Sequence, residues 1–320
     1  SFYRACGPED GPLVIMTHGW PELSLSWRHQ LVALGAMGFR AIAPDMRGYG
    51  ASSVYTDHVA YAQEEIVKDM LELFNSFGRE KAVWIGHDWG SPVAWNMALH
   101  HPEIVAAVAS LCVPYGFDGN PEALEHGINR ELYPVDEYPV GQWDYQLYYY
   151  EDFANAQAEM EENPRALVKM LFRKGDPNGI GQPSLTATIR KNKGWFTPLG
   201  GVPDMPHDDD VVTQEDVDIY TQYLETNGFF GPNSWYVNGP ANAAFFASKQ
   251  DHQLAMPVLF VHATYDFVCD TTTTNFAEPM RELCPNLTEQ RLDTGHWMAQ
   301  EKPEELNQIL KQWLTETVNY

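Results

Sequence analysis

Val83-Trp84-Ile85-Gly86-His87-Asp88-Trp89-Gly90-Ser91-Pro92-Val93-Ala94-Trp95 is an apolar run that ends in small residues, is interrupted by one acid, and continues into a helical pattern. Physically it is a strand, a very tight turn and a helix. Gly86, Gly90 and Ser91 flank Asp88 with little or no side chain. A strained turn needs this when strand and helix pack closely on either side of it. A carboxylate is therefore expected to stand at the apex of the turn.

Around that stretch, 320 residues fit one large domain, or a core with an inserted subdomain. An apolar fraction of 44% and an aromatic fraction of 13% are those of a globular protein with a full core. No apolar run reaches the roughly 20 residues that span a bilayer. Ser1-Phe2-Tyr3-Arg4-Ala5 is read as a strand rather than a signal peptide, and a cytoplasmic location is the favoured expectation. A formal net charge of −24 repels phosphate backbones and anionic lipid, which argues against nucleic acid as a partner. Cys6, Cys112, Cys269 and Cys284 show no metal-ligand spacing and no dense disulfide framework.

Strands and helices alternate on both sides of the elbow. Leu13–Thr17 is a buried strand that stops at His18-Gly19-Trp20-Pro21-Glu22, a loop at the carboxyl edge of a sheet, where α/β folds bind ligands. Trp27–Met37 carries helical spacing, Ala41–Ala43 is a strand, and Tyr61–Phe77 is an amphipathic helix. Val105–Leu111 is another buried strand. The alternation predicts a mainly parallel, doubly wound sheet flanked by helices. It breaks after Pro114, where aromatic and Pro/Gly-rich texture takes over, with helices predicted over 145–153, 165–172 and 216–226. It resumes at Pro257–His262, with a helix over 275–283, a strand over 287–292 and a closing helix over 304–317. Residues 1–114 and 247–320 are therefore read as one core, and 115–246 as an inserted helical cap.

Asp88, Asp266 and His296 then fall just beyond strand ends, in the order nucleophile, acid, histidine that characterises the triad of α/β hydrolases. His296 is the candidate general base, and Asp266 would fix its tautomer. Two backbone amides, of Trp20 and Trp89, are the expected oxyanion hole. Pro21 is expected to hold the first of these loops, with a cis Trp20–Pro21 bond as the hypothesis. A serine at the apex must lose a proton to attack, whereas a carboxylate is already charged at neutral pH. Asp88 can therefore displace a leaving group at an sp³ carbon and form an ester, leaving His296 free to activate water. Epoxide opening and halide expulsion both suit this chemistry. Neither needs a metal or a cofactor.

The motifs His18–Glu22, Arg47-Gly48-Tyr49-Gly50-Ala51-Ser52, Gly86–Ser91 and Gly295-His296-Trp297 resemble those of soluble epoxide hydrolases of the α/β-hydrolase fold, over nearly the whole chain. The core motifs are shared with haloalkane dehalogenases. Asp144-Tyr145-Gln146-Leu147-Tyr148 and Gly231-Pro232-Asn233-Ser234-Trp235-Tyr236 resemble the two cap segments that carry the family's ring-opening tyrosines. The resemblance thus implies an epoxide hydrolase in which Tyr145 and Tyr236 hydrogen-bond the epoxide oxygen. It also implies an amino terminus short by one strand. The substrate expected is a small apolar epoxide, such as an aryl, alkyl or lipid epoxide, consumed with water in a detoxification-type reaction. Trp143, Tyr149, Phe153, Phe172 and Trp297 are candidate pocket lining, with core packing the alternative for each. A haloalkane dehalogenase and a non-catalytic ligand-binding protein are the rival readings, and the stretch 186–211 matches no pattern.

Overall fold

Seven short, mostly apolar runs pair into one sheet in the order β1-β3-β2-β4-β5-β6-β7. They are β1 (Tyr3–Cys6), β2 (Leu13–Thr17), β3 (Arg40–Pro44), β4 (Ala82–His87), β5 (Val105–Leu111), β6 (Val258–Ala263) and β7 (Leu287–Leu292). The computed structural model describes residues 1–116 and 121–318. Residues 117–120 of the expected cap and 319–320 of the expected core lie outside the described residues. Only β1 runs antiparallel, against β3 at one edge. Every residue of β2, β4 and β6 is buried, as expected for central parallel strands covered on both faces.

The register aligns the ends that matter. Thr17 pairs with Gly86, His87 with Leu111, Leu111 with Val261, and Ala263 with Leu292. The loops after β2, β4, β5, β6 and β7 therefore leave the same carboxyl edge within reach of one another.

Three helices flank this sheet before the long insertion: α1 (Arg28–Ala36), α2 (Gln63–Ser76) and α3 (Gly90–His100). The helix expected from Tyr61 begins at Gln63, because Ala62 is extended and separates it from a short turn at His58–Tyr61. Residues 112–257 run between β5 and β6, which are adjacent in the sheet, so the insertion leaves the sheet uninterrupted. Within it lie α4 (Asp144–Glu151) and further helices at Phe153–Glu162, Pro164–Leu171 and Gln214–Asn227. The single helix expected over 145–153 is two, because Asp152 leaves the helical region (φ −146°, ψ 61°). The helix expected from Asn275 starts at Glu278, with Pro279 in its first turn, where a missing N–H costs no hydrogen bond. No helix of the described residues is long and apolar enough to cross a membrane.

The elbow shows why its small residues are needed. Asp88 has φ +49°, a left-handed conformation that a non-glycine residue holds at a cost of about 1–3 kcal/mol. A methyl group on Gly90 would stand 2.1 Å from the Thr17 carbonyl oxygen, and one on Gly86 would stand 2.5 Å from the Gly90 carbonyl oxygen. The Thr17 hydroxyl also donates to the Gly90 carbonyl at 2.8 Å, tying the start of α3 to the end of β2. These contacts are with backbone and cannot swing away. Gly90→Ala should therefore lower the unfolding free energy by at least about 1–3 kcal/mol in a denaturant titration. An unchanged midpoint would mean that β2 and α3 are free to separate at this point.

Candidate active site

Each polar candidate sits one step past a strand. Asp88 follows β4, Asp266 lies in the loop after β6, and His296 lies in the loop after β7. The fold brings the three together. His296 Nδ1 lies 2.6 Å from Asp266 Oδ2, and His296 Nε2 lies 3.4 Å from Asp88 Oδ2. The other oxygen of Asp266 accepts from the amides of Val268 and Cys269 at 3.1 and 2.9 Å, so that carboxylate is fully engaged. Burial alone would raise the Asp266 pKa, but the His296 charge, its hydrogen bond and these amides bring it down to about 2. Burial likewise opposes the charge on His296. The attraction of Asp266 and the hydrogen bonds that the ring makes with Asp266, Asp88 and Cys112 outweigh it and hold the imidazole well above its ordinary value.

The two oxygens of Asp88 face different partners. The Trp20 amide donates to Oδ1 at 2.7 Å, while Oδ2 faces His296. The Trp20–Pro21 bond is cis. A methyl on Gly19 would lie 2.2 Å from Asp88 Oδ1 and 2.6 Å from the Trp89 nitrogen. Only glycine lets the loop after β2 come this close to the carboxylate and to the Trp89 amide.

Tyr145 on α4 and Tyr236 in a short turn at Trp235–Val237 bring their rings to 5.6 Å between centroids. Both line the cavity above Asp88. Gln146 Nε2 donates to the Tyr145 hydroxyl at 3.2 Å, which leaves the phenolic proton available to a ligand. Burial, and after it the charges of neighbours that include Asp88, push both phenols well above their ordinary range, so they stay protonated.

A cavity of about 160 Å³ opens beside His296, with Trp20, Trp195, Trp297 and Leu171 on its walls. A narrower hollow of about 20 Å³ continues on the far side of Asp88, between Trp143, Leu124, Phe276 and Gln146. Asp88, Tyr145 and Cys269 line both, so the carboxylate stands where two lobes meet. Of the aromatic residues expected to line a pocket, Trp143 and Trp297 reach these lobes. Tyr149 lies behind Tyr236, stacked on it at 4.7 Å. Phe153 packs on His58 and Phe230, and Phe172 on Tyr220 and Trp297, away from the lobes. Trp195 and Thr186 enter the larger lobe from the stretch that matched no pattern.

One feature of the site was not anticipated. His87 Nδ1 lies 2.7 Å from Glu22 Oε2, and His87 Nε2 lies 2.7 Å from the His296 carbonyl oxygen. Both ring nitrogens face acceptors, so the ring is an imidazolium. Glu22 also accepts from the Gly19 amide at 2.9 Å. This buried pair ties together the loops after β2, β4 and β7. Both residues lie inside the quoted motifs, His87 next to Asp88 itself; what the sequence lacks is any sign that they pair. Burial opposes both charges, yet mutual attraction takes Glu22 from 4.5 down to about 2 and His87 from 6.5 up to about 10.

The Glu22 contribution is complete above its unfolded value of 4.5 and is lost as pH falls through about 2. The same interaction, seen from His87, is complete below 6.5 and is lost as pH rises through about 10. Glu22→Gln should cost about 3–5 kcal/mol of unfolding free energy between those limits, with the difference from wild type shrinking towards the alkaline end. A difference that stays flat across that range would mean that His87 is neutral.

The chain matches the α/β-hydrolase fold family over residues 12–303. It is 38% identical over 305 residues to bifunctional epoxide hydrolase 2 of Sus scrofa, a match covering 95% of this chain and 51% of that protein. The chain thus spans about half the length of that mammalian relative. Epoxide hydrolase A of Mycobacterium tuberculosis is 32% identical over 316 residues, covering 97% of this chain and 92% of that protein. The crystal structure of epoxide hydrolase A from Mycobacterium thermoresistibile superposes with a TM-score of 0.79 at 32% identity, covering 99% of this chain and 95% of that one.

Proposed function

The chain belongs to the α/β-hydrolase fold family and, within it, to the epoxide hydrolases, and on that premise we propose that it converts an apolar epoxide to a vicinal diol through a covalent ester on Asp88. The observation that carries the mechanism is the unequal environment of the two Asp88 oxygens. Residues 1–114 and 247–320 act as the hydrolase core, and 115–246 as a cap that supplies the two phenols.

In the first step Asp88 Oδ2 attacks an epoxide carbon from the side opposite the ring oxygen. The carbon–oxygen bond breaks, and the departing oxygen takes a proton from Tyr145 or Tyr236. A hydroxyalkyl ester results, joined through Oδ2, with Oδ1 as its carbonyl oxygen. Oδ1 is the atom already held by the Trp20 amide. In the second step His296 removes a proton from water, which adds to the Asp88 carboxyl carbon. Negative charge then develops on Oδ1, where the amides of Trp20 and Trp89 stabilise it, each such donor being worth about 2.7–4 kcal/mol. The proton that His296 gives up after the first step restores the tyrosine; collapse then expels the diol on the proton that His296 took from water, and the proton left on the Asp88 carboxyl restores the imidazolium.

The resting imidazolium at His296 suits the first step and not the second, since a general base must be unprotonated. Alkylation resolves this conflict. It neutralises Asp88 and so removes one of the interactions that hold the His296 pKa up. Asp266 remains to orient the ring.

The two lobes are lined by aromatic and aliphatic side chains, which favours a substrate with apolar arms on its epoxide. Tyr145→Phe combined with Tyr236→Phe should slow ester formation by on the order of 100- to 10,000-fold with the fold intact. Near-normal single-turnover alkylation in that double variant would remove the tyrosines from the mechanism. His296→Gln should accumulate the ester on the peptide bearing Asp88, seen by mass spectrometry as the added mass of one substrate. Diol formation by that variant at the wild-type rate would exclude His296 as the base. In wild type, the rate of ester hydrolysis should rise with pH and level off, with a midpoint below the His296 pKa of the free enzyme. Stopped-flow tryptophan fluorescence measures this, and a rate that falls with rising pH would contradict it.

A further inference from the structure

Two imidazoles converge on one thiol behind the Asp88 carboxylate. His87 carries Glu22 on its Nδ1 at 2.7 Å, and His296 carries Asp266 on its Nδ1 at 2.6 Å. Each ring is thus oriented by a carboxylate on one nitrogen and turns the other inward. The ring centroids are 4.8 Å apart. Cys112, the first residue after β5, holds a left-handed φ of +69°, and its thiol lies 3.5 Å from the His296 carbonyl oxygen. One ligand atom from each of His87, Cys112 and His296 lies within 4.8 Å of the other two. Asp88 Oδ2 lies 3.4 Å from His296 Nε2, on the same side of that ring.

We propose that His87, Cys112 and His296, with Asp88 as fourth donor, form an inhibitory site for a thiophilic divalent cation, with zinc as the reference ion. Two imidazoles, a thiolate and a carboxylate are a donor set that zinc takes in tetrahedral sites. An imidazole whose second nitrogen donates to a carboxylate is the usual support for a metal-bound histidine, and this site has that support twice. Zinc–sulfur and zinc–nitrogen bonds of about 2.3 and 2.0–2.1 Å put tetrahedral ligands roughly 3.3–3.7 Å apart, so the three clustered donors must close in by roughly 1–1.5 Å, and the Asp88 carboxylate, outside that grouping, must swing towards them from its place beside His296. The metal displaces three protons: the one on the Cys112 sulfur, the one that His87 shares with the His296 carbonyl, and the one on His296 Nε2. One thiolate and one carboxylate then balance its two charges.

A second grouping, Asp266, Cys269 and His296, also clusters within 4.8 Å. A metal there has to break the 2.6 Å hydrogen bond between Asp266 and His296. The His87–Cys112–His296 grouping leaves that bond in place.

Occupancy engages both Asp88 and His296, so neither ester formation nor ester hydrolysis proceeds. The inhibition rests on the proposed epoxide-hydrolase reading; the binding does not. The test starts from metal-free protein titrated with cobalt(II), whose bond to a thiolate gives a charge-transfer band in the near ultraviolet. The band should appear in wild type and in Cys269→Ala and be absent from Cys112→Ala. Zinc affinity, read by competition with a chromogenic chelator, should fall by more than about 100-fold in Cys112→Ala, beyond what loss of a supporting partner costs. Zinc should also abolish diol formation by wild type, reversibly with a chelator, at free concentrations that leave Cys112→Ala active. No band in wild type, or a band retained in Cys112→Ala and lost in Cys269→Ala, would overturn the site whether or not an epoxide is turned over. Full turnover with zinc bound through Cys112 would overturn the inhibition.

Discussion

A carboxylate can stand clear of a sheet buried on both faces only if the chain behind it reverses within a residue or two. Asp88 does so at φ +49°, with Gly90 pressed against the Thr17 carbonyl. The rest of the site depends on that reversal. It aims one carboxylate oxygen at the Trp20 amide and the other at His296. It also puts Asp88 beside the loops from β2 and β7, whose ends the sheet register has already aligned. Any relaxation of the turn would move the carboxylate relative to its amide donor and its imidazole together. A displacement of about 1 Å can cost on the order of 100-fold in rate.

Electrostatics add a second layer. Two carboxylate–imidazole pairs lie side by side at the sheet edge, Asp266 with His296 and Glu22 with His87. The Glu22–His87 pair is wholly buried and lines neither lobe of the cavity. It holds the Gly19 amide with one end and the His296 carbonyl with the other. Its effect is to position the loop that carries the Trp20 amide and the loop that carries His296. The Asp266–His296 pair faces the cavity, and its state changes with the charge on Asp88. In the proposed reaction the ester formed in the first step would lower the proton affinity of His296, the group needed in the second.

The elbow, the triad order and the positions of all seven strands were legible in the sequence because each rests on local pattern: apolar runs, small residues and loops at strand ends. The insertion between β5 and β6 was legible in detail only where a motif marked it. Tyr145 and Tyr236 lie 91 positions apart in the chain, and nothing in composition or period joins them. Trp195 and Thr186 reach the cavity through a long-range ion pair. Arg190 binds the Asp144 carboxylate at 2.6 Å and its amide does so at 2.8 Å, which draws the 186–195 stretch against α4. The Glu159 carboxylate then takes the Trp195 amide at 3.0 Å. Phe153 and Phe172 show the converse problem. A buried aromatic residue satisfies the same sequence pattern whether it faces core or cavity, so their packing away from the lobes could not be read in advance. Glu22 and His87 were hidden for another reason. A buried ion pair between two loops far apart in sequence leaves no periodic trace.

In the proposed reaction Asp88 bonds to the substrate, and water attacks the resulting ester at the Asp88 carboxyl carbon. A single turnover in heavy-oxygen water, with enzyme in excess over epoxide, tests it most directly. The heavy atom should enter the Asp88 carboxylate, and the diol should be released unlabelled, carrying an oxygen that began on Asp88. A labelled diol with unlabelled Asp88 would mean that water opens the epoxide itself, and it would rule out the ester on Asp88.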